Sequence, residues 1–406
     1  GPDALPRAAG AHVASGTRPP VEVGFLIVGR MDGLHRAAVR GARSALRERL
    51  AAALPSFDFR IALVERRDLR TPTMRVAPVE LLDAAIDERD ARAWDFTLAF
   101  TQLELVTYEQ PFALGAPSRA LSAAALSTGL LDDDLEAEPR EVALRRLTGR
   151  VVALALHLLG HRAGLAHTAD PAGYMHPVGS PPELDARTGF TPESLDALAD
   201  GLARAADPRL EETRRGVSAA TFFLLVAWHN RLELLGSVSE MRPWKLPLRL
   251  GRLTAAASSA LLVLLVTAEV WELATGQTPA SAMALGTAAV LATTRAVLVR
   301  QKLTVRRRAK RLTEQVVVSD LSTSLAVLFG VLTTYALLFA SALALTAVVF
   351  RDDTVAAWTG ATALSPVTRV TVAAFVASLG LAVGALGAAF EPRGFARHVA
   401  YVDEET

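Results

Sequence analysis

Apolar and polar residues alternate on short periods in the first half of this chain and separate into long blocks in the second. "VEVGFLIVG" (21–29) is a continuous apolar, β-branched run and predicts a buried strand. "LHRAAVRGARSALRERLAAAL" (34–54) repeats apolar residues every three to four positions, with arginines between them, and predicts a helix. "FDFRIALVE" (57–65) alternates as a strand does, and Pro78 opens a helix over "PVELLDAAIDERDA" with its proline in the first turn. "WDFTLAFTQLEL" (94–105) predicts another strand and "RALSAAALST" (119–128) an edge strand. A long helix follows from Glu138-Pro139 to "LLGHRAG". This order implies an α/β domain with a mixed sheet covered by helices.

Beyond residue 240 the period is lost and four apolar stretches follow. Leu253 to Ala268 carries no charge and extends past Glu269 and Glu272 to Thr275; Pro279 to Thr294 is uncharged up to Arg295. Leu321 to Phe350 and Val370 to Phe390 are uncharged throughout. A helix needs about 20 mostly apolar residues to cross a bilayer core, so the expectation is an all-α four-helix transmembrane domain. The basic residues gather in "RQKLTVRRRAKR" (300–311) and in Arg242, Lys245, Arg249 and Arg252, while the other two loops are nearly free of them. The positive-inside rule then predicts an integral protein of the cytoplasmic membrane, with both termini cytoplasmic. Glu269, Glu272, Arg295 and Asp320 read as end charges; a transport or channel unit is the alternative they would serve. Small residues at Gly380, Gly384 and Gly387 imply close helix packing, within one bundle or in a homo-oligomer.

The expected organisation is a polar leader (1–20), an α/β domain (21–205), interfacial connecting helices (206–252), the bundle (253–390) and a cytoplasmic tail (391–406). The connector contains the apolar run 217–235 and is kinked by Pro243 and Pro247. Gly1-Pro2 reads as a protease-cleavage scar, and the leader has no apolar core of a signal peptide. Composition changes this picture in two places only. With no cysteine, disulfides, thiolate metal sites and cysteine nucleophiles are excluded. A formal net charge of +1 advertises no nucleic-acid partner.

The chemistry lies in "HLLGHRAGLAH" (157–167). His157 and His161 stand four apart on the predicted helix, so both project from one face. Gly164 ends the helix and lets the chain turn back, bringing His167 toward the same point. Three neutral imidazoles with a fourth position open make a tetrahedral zinc arrangement. Met175, in the turn-rich "DPAGYMHP", can pass beneath them.

His157, His161, Gly164, His167 and Met175 resemble the HExxHxxGxxH and Met-turn pattern of the metzincin zinc peptidases, and most closely that of the archaemetzincins. The resemblance covers roughly residues 20 to 200 and implies a metzincin-like mixed sheet with one zinc held by His157, His161 and His167. Gly164 and Met175 would support that site. In the archaemetzincins a cysteine follows the third histidine, then four residues, a second cysteine, one residue and the methionine. Here the same count meets Thr168, "ADPA", Gly173, Tyr174 and Met175, so the spacing is kept and the cysteines are not. The last cysteine pair would fall at Glu193 and Asp196, which removes the second, structural zinc that the family implies.

The departure that matters is Leu158, which occupies the position of the catalytic glutamate. In the zincin mechanism that carboxylate takes the proton of the metal-bound water and passes it to the leaving amine, assistance worth roughly 10²–10⁴-fold. No catalytic residue is therefore assigned. Asp170, Tyr174 and His176 line the expected cleft as substitutes for an active peptidase with a relocated base. The first expectation is a membrane-anchored, zinc-binding pseudopeptidase that binds a peptide or protein partner, with strand addition at 119–128 as the docking mode.

Overall fold

A computed structural model describes residues 18–67, 74–107, 112–132, 134–135, 137–205, 218–301, 303, 314–350, 352–359, 365–388, 397–398 and 401–402. Most of the leader, most of the basic link 300–311 and most of the tail lie outside the described residues.

Residues 20–205 form an α/β sandwich. Strand β1 (Pro20–Val28) pairs in parallel with β2 (Asp58–Arg66) on one side and with β4 (Phe96–Thr101) on the other. β7 (Ala123–Ser127) runs parallel to β4, and β6 (Gly115–Ser118) closes the edge antiparallel to β7, giving the order β2-β1-β4-β7-β6. A separate parallel pair joins β3 (Arg75–Val76) to β5 (Glu104–Leu105). The expected edge strand at 119–128 is thus an interior strand, and the true edge is the short hairpin arm before it. Ser122, at φ 46, turns the chain between the two arms.

The pleat sorts the core. Val21, Val23, Phe25 and Ile27 of β1 face helices α1 (Gly33–Ala53) and α3 (Arg140–Arg162), while Leu26 and Val28 face α2 (Pro78–Arg92). This is the period-2 pattern of a strand covered on both sides, which is why the sequence shows it as an unbroken apolar run. Asp32 caps α1 by accepting from the His35 backbone N–H. At the far end α4 (Pro192–Ala205) packs beside α3, with Gly201 against Ala163.

The C-terminal half is helical: α5 (Ala219–His229), α6 (Arg231–Glu240), α7 (Leu246–Arg249), α8 (Gly251–Leu265), α9 (Ala268–Thr275), α10 (Pro279–Arg300), α11 (Glu314–Val348), α12 (Asp352–Thr359) and α13 (Pro366–Gly387). Three of these, α10, α11 from Val316 and α13, are long and apolar enough to cross a membrane. A fourth crossing is reached only by joining Leu234–Arg249 to α8 across a 52° bend. The first apolar stretch, expected as one span from Leu253, therefore breaks at Val266–Thr267, and its apolar path starts further upstream, inside the expected connector. The bend falls at Leu250, three residues after Pro247, whose ring removes a backbone donor. At the break, the indole N–H of the buried Trp271 donates to the Leu265 carbonyl at 2.8 Å, which satisfies an acceptor that the helix has lost.

Helices α8 and α13 meet along glycine. A Cβ added at Gly384 would lie 2.7 Å from the Ala257 Cβ and 2.9 Å from the Leu253 carbonyl, and one at Gly387 would lie 2.7 Å from the Arg252 carbonyl. Backbones approach this closely only where side chains are missing. Of the four charged residues noted in the apolar stretches, Glu269, Glu272 and Arg295 are exposed, and Asp320 is buried beside Tyr401. The Arg397 guanidinium pairs with Asp83 of α2, and Tyr401 packs into the apolar cluster that runs from α2 into the bundle.

Substituting Gly384→Leu should force α8 and α13 apart, at a cost of about 1–3 kcal/mol or more. Thermal unfolding of the detergent-solubilised full chain should show a clear drop in Tm, and an unchanged Tm would contradict this packing.

Candidate metal centre

The site is built by the last turns of α3 and the loop that returns beneath them. His157 and His161 lie on one face of α3, and Leu154, Leu158 and Leu159 around them are core residues. The helix ends in a glycine turn whose bonds are both made. Gly164, at φ +89, donates to the His161 carbonyl at 2.9 Å, and Leu165 donates to the Gly160 carbonyl at 3.0 Å. This reversal swings His167 back over the helix end.

Three imidazoles then converge. The His161 Nε2 lies 2.9 Å from the His157 Nε2 and 3.1 Å from the His167 Nε2. His157 and His161 are buried, and His167 is exposed. The His157 Nδ1 is 2.7 Å from the Tyr174 carbonyl. A carbonyl only accepts, so Nδ1 carries the proton, and the neutral ring turns a bare Nε2 lone pair toward the other two histidines. The His161 ring is also held by a hydrogen bond to the Leu165 backbone. Burial pushes His157 down to about 4, and it pushes His161 down to about 3, where both neighbouring imidazoles add to the effect. Both rings are therefore neutral near pH 7.

Gathered lone pairs repel unless a cation lies between them. Around a tetrahedral zinc with Zn–N of about 2.0–2.1 Å, nitrogens sit about 3.3 Å apart, close to the separations found here. The donor set fits a zinc-type ion. Among the described residues, the three histidines are the one group of metal-ligating side chains gathered this way, and no carboxylate joins them.

The supporting loop is tied down strongly. Thr168 N–H donates to the Met175 carbonyl at 2.8 Å, and Tyr174 N–H to Gly189 at 2.8 Å. The buried Arg187 guanidinium donates to the carbonyls of Pro171 at 2.7 Å, Gly173 at 3.2 Å and Pro177 at 2.9 Å. It thereby fixes the turn that presents the Tyr174 carbonyl to His157. Met175 lies under the helix with its sulfur over Gly160, where a Cβ would sit 2.2 Å from it.

The remaining sequence-predicted residues are not brought to the cage as reactive groups. The Tyr174 hydroxyl accepts from Arg49 at 2.8 Å, and its ring packs edge-on against Phe190. Tyr174 serves the site through its backbone. The Asp170 carboxylate accepts from the Ala172 N–H at 3.0 Å, and the His176 Nδ1 sits 3.1 Å from the Thr168 carbonyl. Leu158 is fully buried, with its side chain against the edge strand: a Cβ at Gly115 would lie 2.7 Å from a Leu158 methyl. All four residues of β6 are buried as well. Sequence reading missed Arg187 and Gly115, since neither stands near the histidine motif in the chain, and no spacing links them to it.

No family model matches this chain, and no curated protein is similar to it. Solved structures are similar to its α/β part. An archaemetzincin from Methanopyrus kandleri matches at 20% identity over 45% of this chain and 97% of its own, with a TM-score of 0.34. A zinc-dependent peptidase from Methanocorpusculum labreanum matches at 17% over 43% and 99%, TM-score 0.34, and an archaemetzincin from Archaeoglobus fulgidus at 18% over 43% and 99%, TM-score 0.30. The similarity is one of fold.

Leu158→Ala removes a fully buried side chain and should cost about 2–5 kcal/mol in denaturant unfolding of the full chain; a loss under about 1 kcal/mol would mean that the side chain is not packed here. For the chelator-treated protein, the unfolded chain binds protons at its histidines below about pH 6.5, whereas folded His157 and His161 resist until about 4 and 3. Stability should thus be full above pH 6.5 and fall as the pH drops through that window. His161→Leu should flatten the fall in Tm between pH 6.5 and 4.5, and equal slopes in both proteins would refute the assignment.

Proposed function

We propose that this chain is a membrane-anchored, metzincin-like protein that holds one zinc ion and does not hydrolyse peptides, serving as a binding or regulatory module for a peptide or protein partner. The observation that carries this reading is Leu158, buried against Gly115 at the position of the proton-transferring glutamate. His157, His161 and His167 would hold the metal, and a bound zinc would polarise a carbonyl and acidify a water. Among the described residues, no carboxylate joins the three histidines. Asp170, Tyr174 and His176 are each engaged with other partners, and Leu158 fills its site with hydrocarbon.

The partner would approach from the side of His167, the one exposed ligand. Strand addition next to 119–128 is the less supported mode, because β6 already covers that edge and is buried. The three to four apolar helices support an anchored protein, and the basic residues before α8 and after α10 support a cytoplasmic α/β part. A transport path finds little support in Glu269, Glu272 and Arg295, which are exposed rather than gathered inside the bundle.

Elemental analysis of purified full-length protein should find about one zinc per chain, and close to none in His161→Ala. A peptide-library digest should show no cleavage that a chelator suppresses. Negligible zinc in both proteins would remove the metal from this reading, and chelator-sensitive cleavage would replace it with an active peptidase.

A further inference from the structure

Between α8 and α11 runs a groove of about 240 Å³, reaching from Pro247 and Thr254 at one end to Leu262 and Leu345 at the other. Along α11 it extends from Thr334 to Leu345, about 16 Å at the helical rise. Leu261 and Leu338 form a buried floor, while Leu262 and Leu337, each 55% exposed, stand up as rims. Ser258 and Ser341 between them are small and exposed, so the groove opens sideways, away from the bundle.

Its hydroxyls do not ask for a polar ligand. Thr254 donates to the Pro247 carbonyl and Thr334 to the Gly330 carbonyl at 3.0 Å, so both are satisfied within the chain. Among the described residues, no charged one lines the groove. It therefore offers hydrocarbon to whatever lies beside it, which suits an acyl chain and not a polar solute.

The end at Pro247 is different. Residues 242–252 carry Arg242, Lys245, Arg249 and Arg252 and no acidic residue. Arg242, Trp244, Lys245 and Leu248 are exposed there. Basic groups and an exposed tryptophan within five residues of Pro247, in a segment whose Pro243–Lys245 turn packs against α11, complement an anionic headgroup whose tail lies in the groove. We infer that this groove is a binding site for one anionic phospholipid of the cytoplasmic leaflet, with its headgroup at Arg242 and Lys245 and one acyl chain between α8 and α11.

The inference rests on the membrane reading proposed above, and the two fail separately. If alkaline carbonate releases the chain from membranes, the membrane reading is lost. With the chain retained, full-length protein is reconstituted in nanodiscs of phosphatidylcholine containing phosphatidylglycerol, and the lipid kept on release is identified by native mass spectrometry. Phosphatidylglycerol should be retained preferentially. Lys245→Gln, an exposed and structurally mild change, should lower that retention by about fivefold. Ser341→Trp should fill the groove and abolish it. Equal retention of the two lipids would overturn the site, as would a preference that neither substitution alters.

Discussion

Three imidazole nitrogens gathered within 4.8 Å of one another, two of the pairs about 3 Å apart, are an arrangement that a folded chain does not hold without compensation. Here the compensation is visible on the outer side of the rings. The Tyr174 carbonyl fixes the tautomer of His157, and Arg187 in turn fixes the loop that carries Tyr174. The glycine turn at Gly164 sets the angle at which His167 returns. Each part orients the next, so the cage is as rigid as the sheet and the long helix that carry it.

This rigidity separates two abilities that a hydrolytic zinc site combines. Holding an ion requires neutral, oriented donors, and burial supplies them. Moving a proton requires a carboxylate with room to work, and in the reading proposed above Leu158, packed against Gly115, stands in that place. Gly115 has the smallest side that a strand can present, and the leucine has grown into it. Leu158 is thus accommodated by packing against the glycine of the edge strand.

Much of the architecture was legible along the chain. β1, α1, β2, α2 and α3 lie within a few residues of where the periodicity predicts them, because each carries its own apolar repeat. The three imidazoles were legible because a helix and a glycine turn are local geometry. What could not be read is non-local. The edge of the sheet depends on Ser122 turning the chain one strand earlier than the apolar run implies. The break at Val266–Thr267 is compensated by Trp271, five residues away by sequence but decisive only once the indole folds back. Arg187 and Gly115 act on the site across the fold, and nothing in their neighbourhoods announces it.

Helix α11 has 35 residues and so extends about 52 Å, against a hydrocarbon core of about 30 Å. In the membrane reading proposed above, part of it would stand clear of the apolar layer; near its start Asp320 lies beside Tyr401, and the same C-terminal segment reaches Asp83 through Arg397. A helix longer than its bilayer leans to fit. Leaning by about 10° would carry the far end of such a rod sideways by about 9 Å. In that reading the sandwich, tied to the start of α11 through Tyr401 and Arg397, would move with it, so that hydrophobic mismatch becomes a lever arm acting on the histidine-bearing domain.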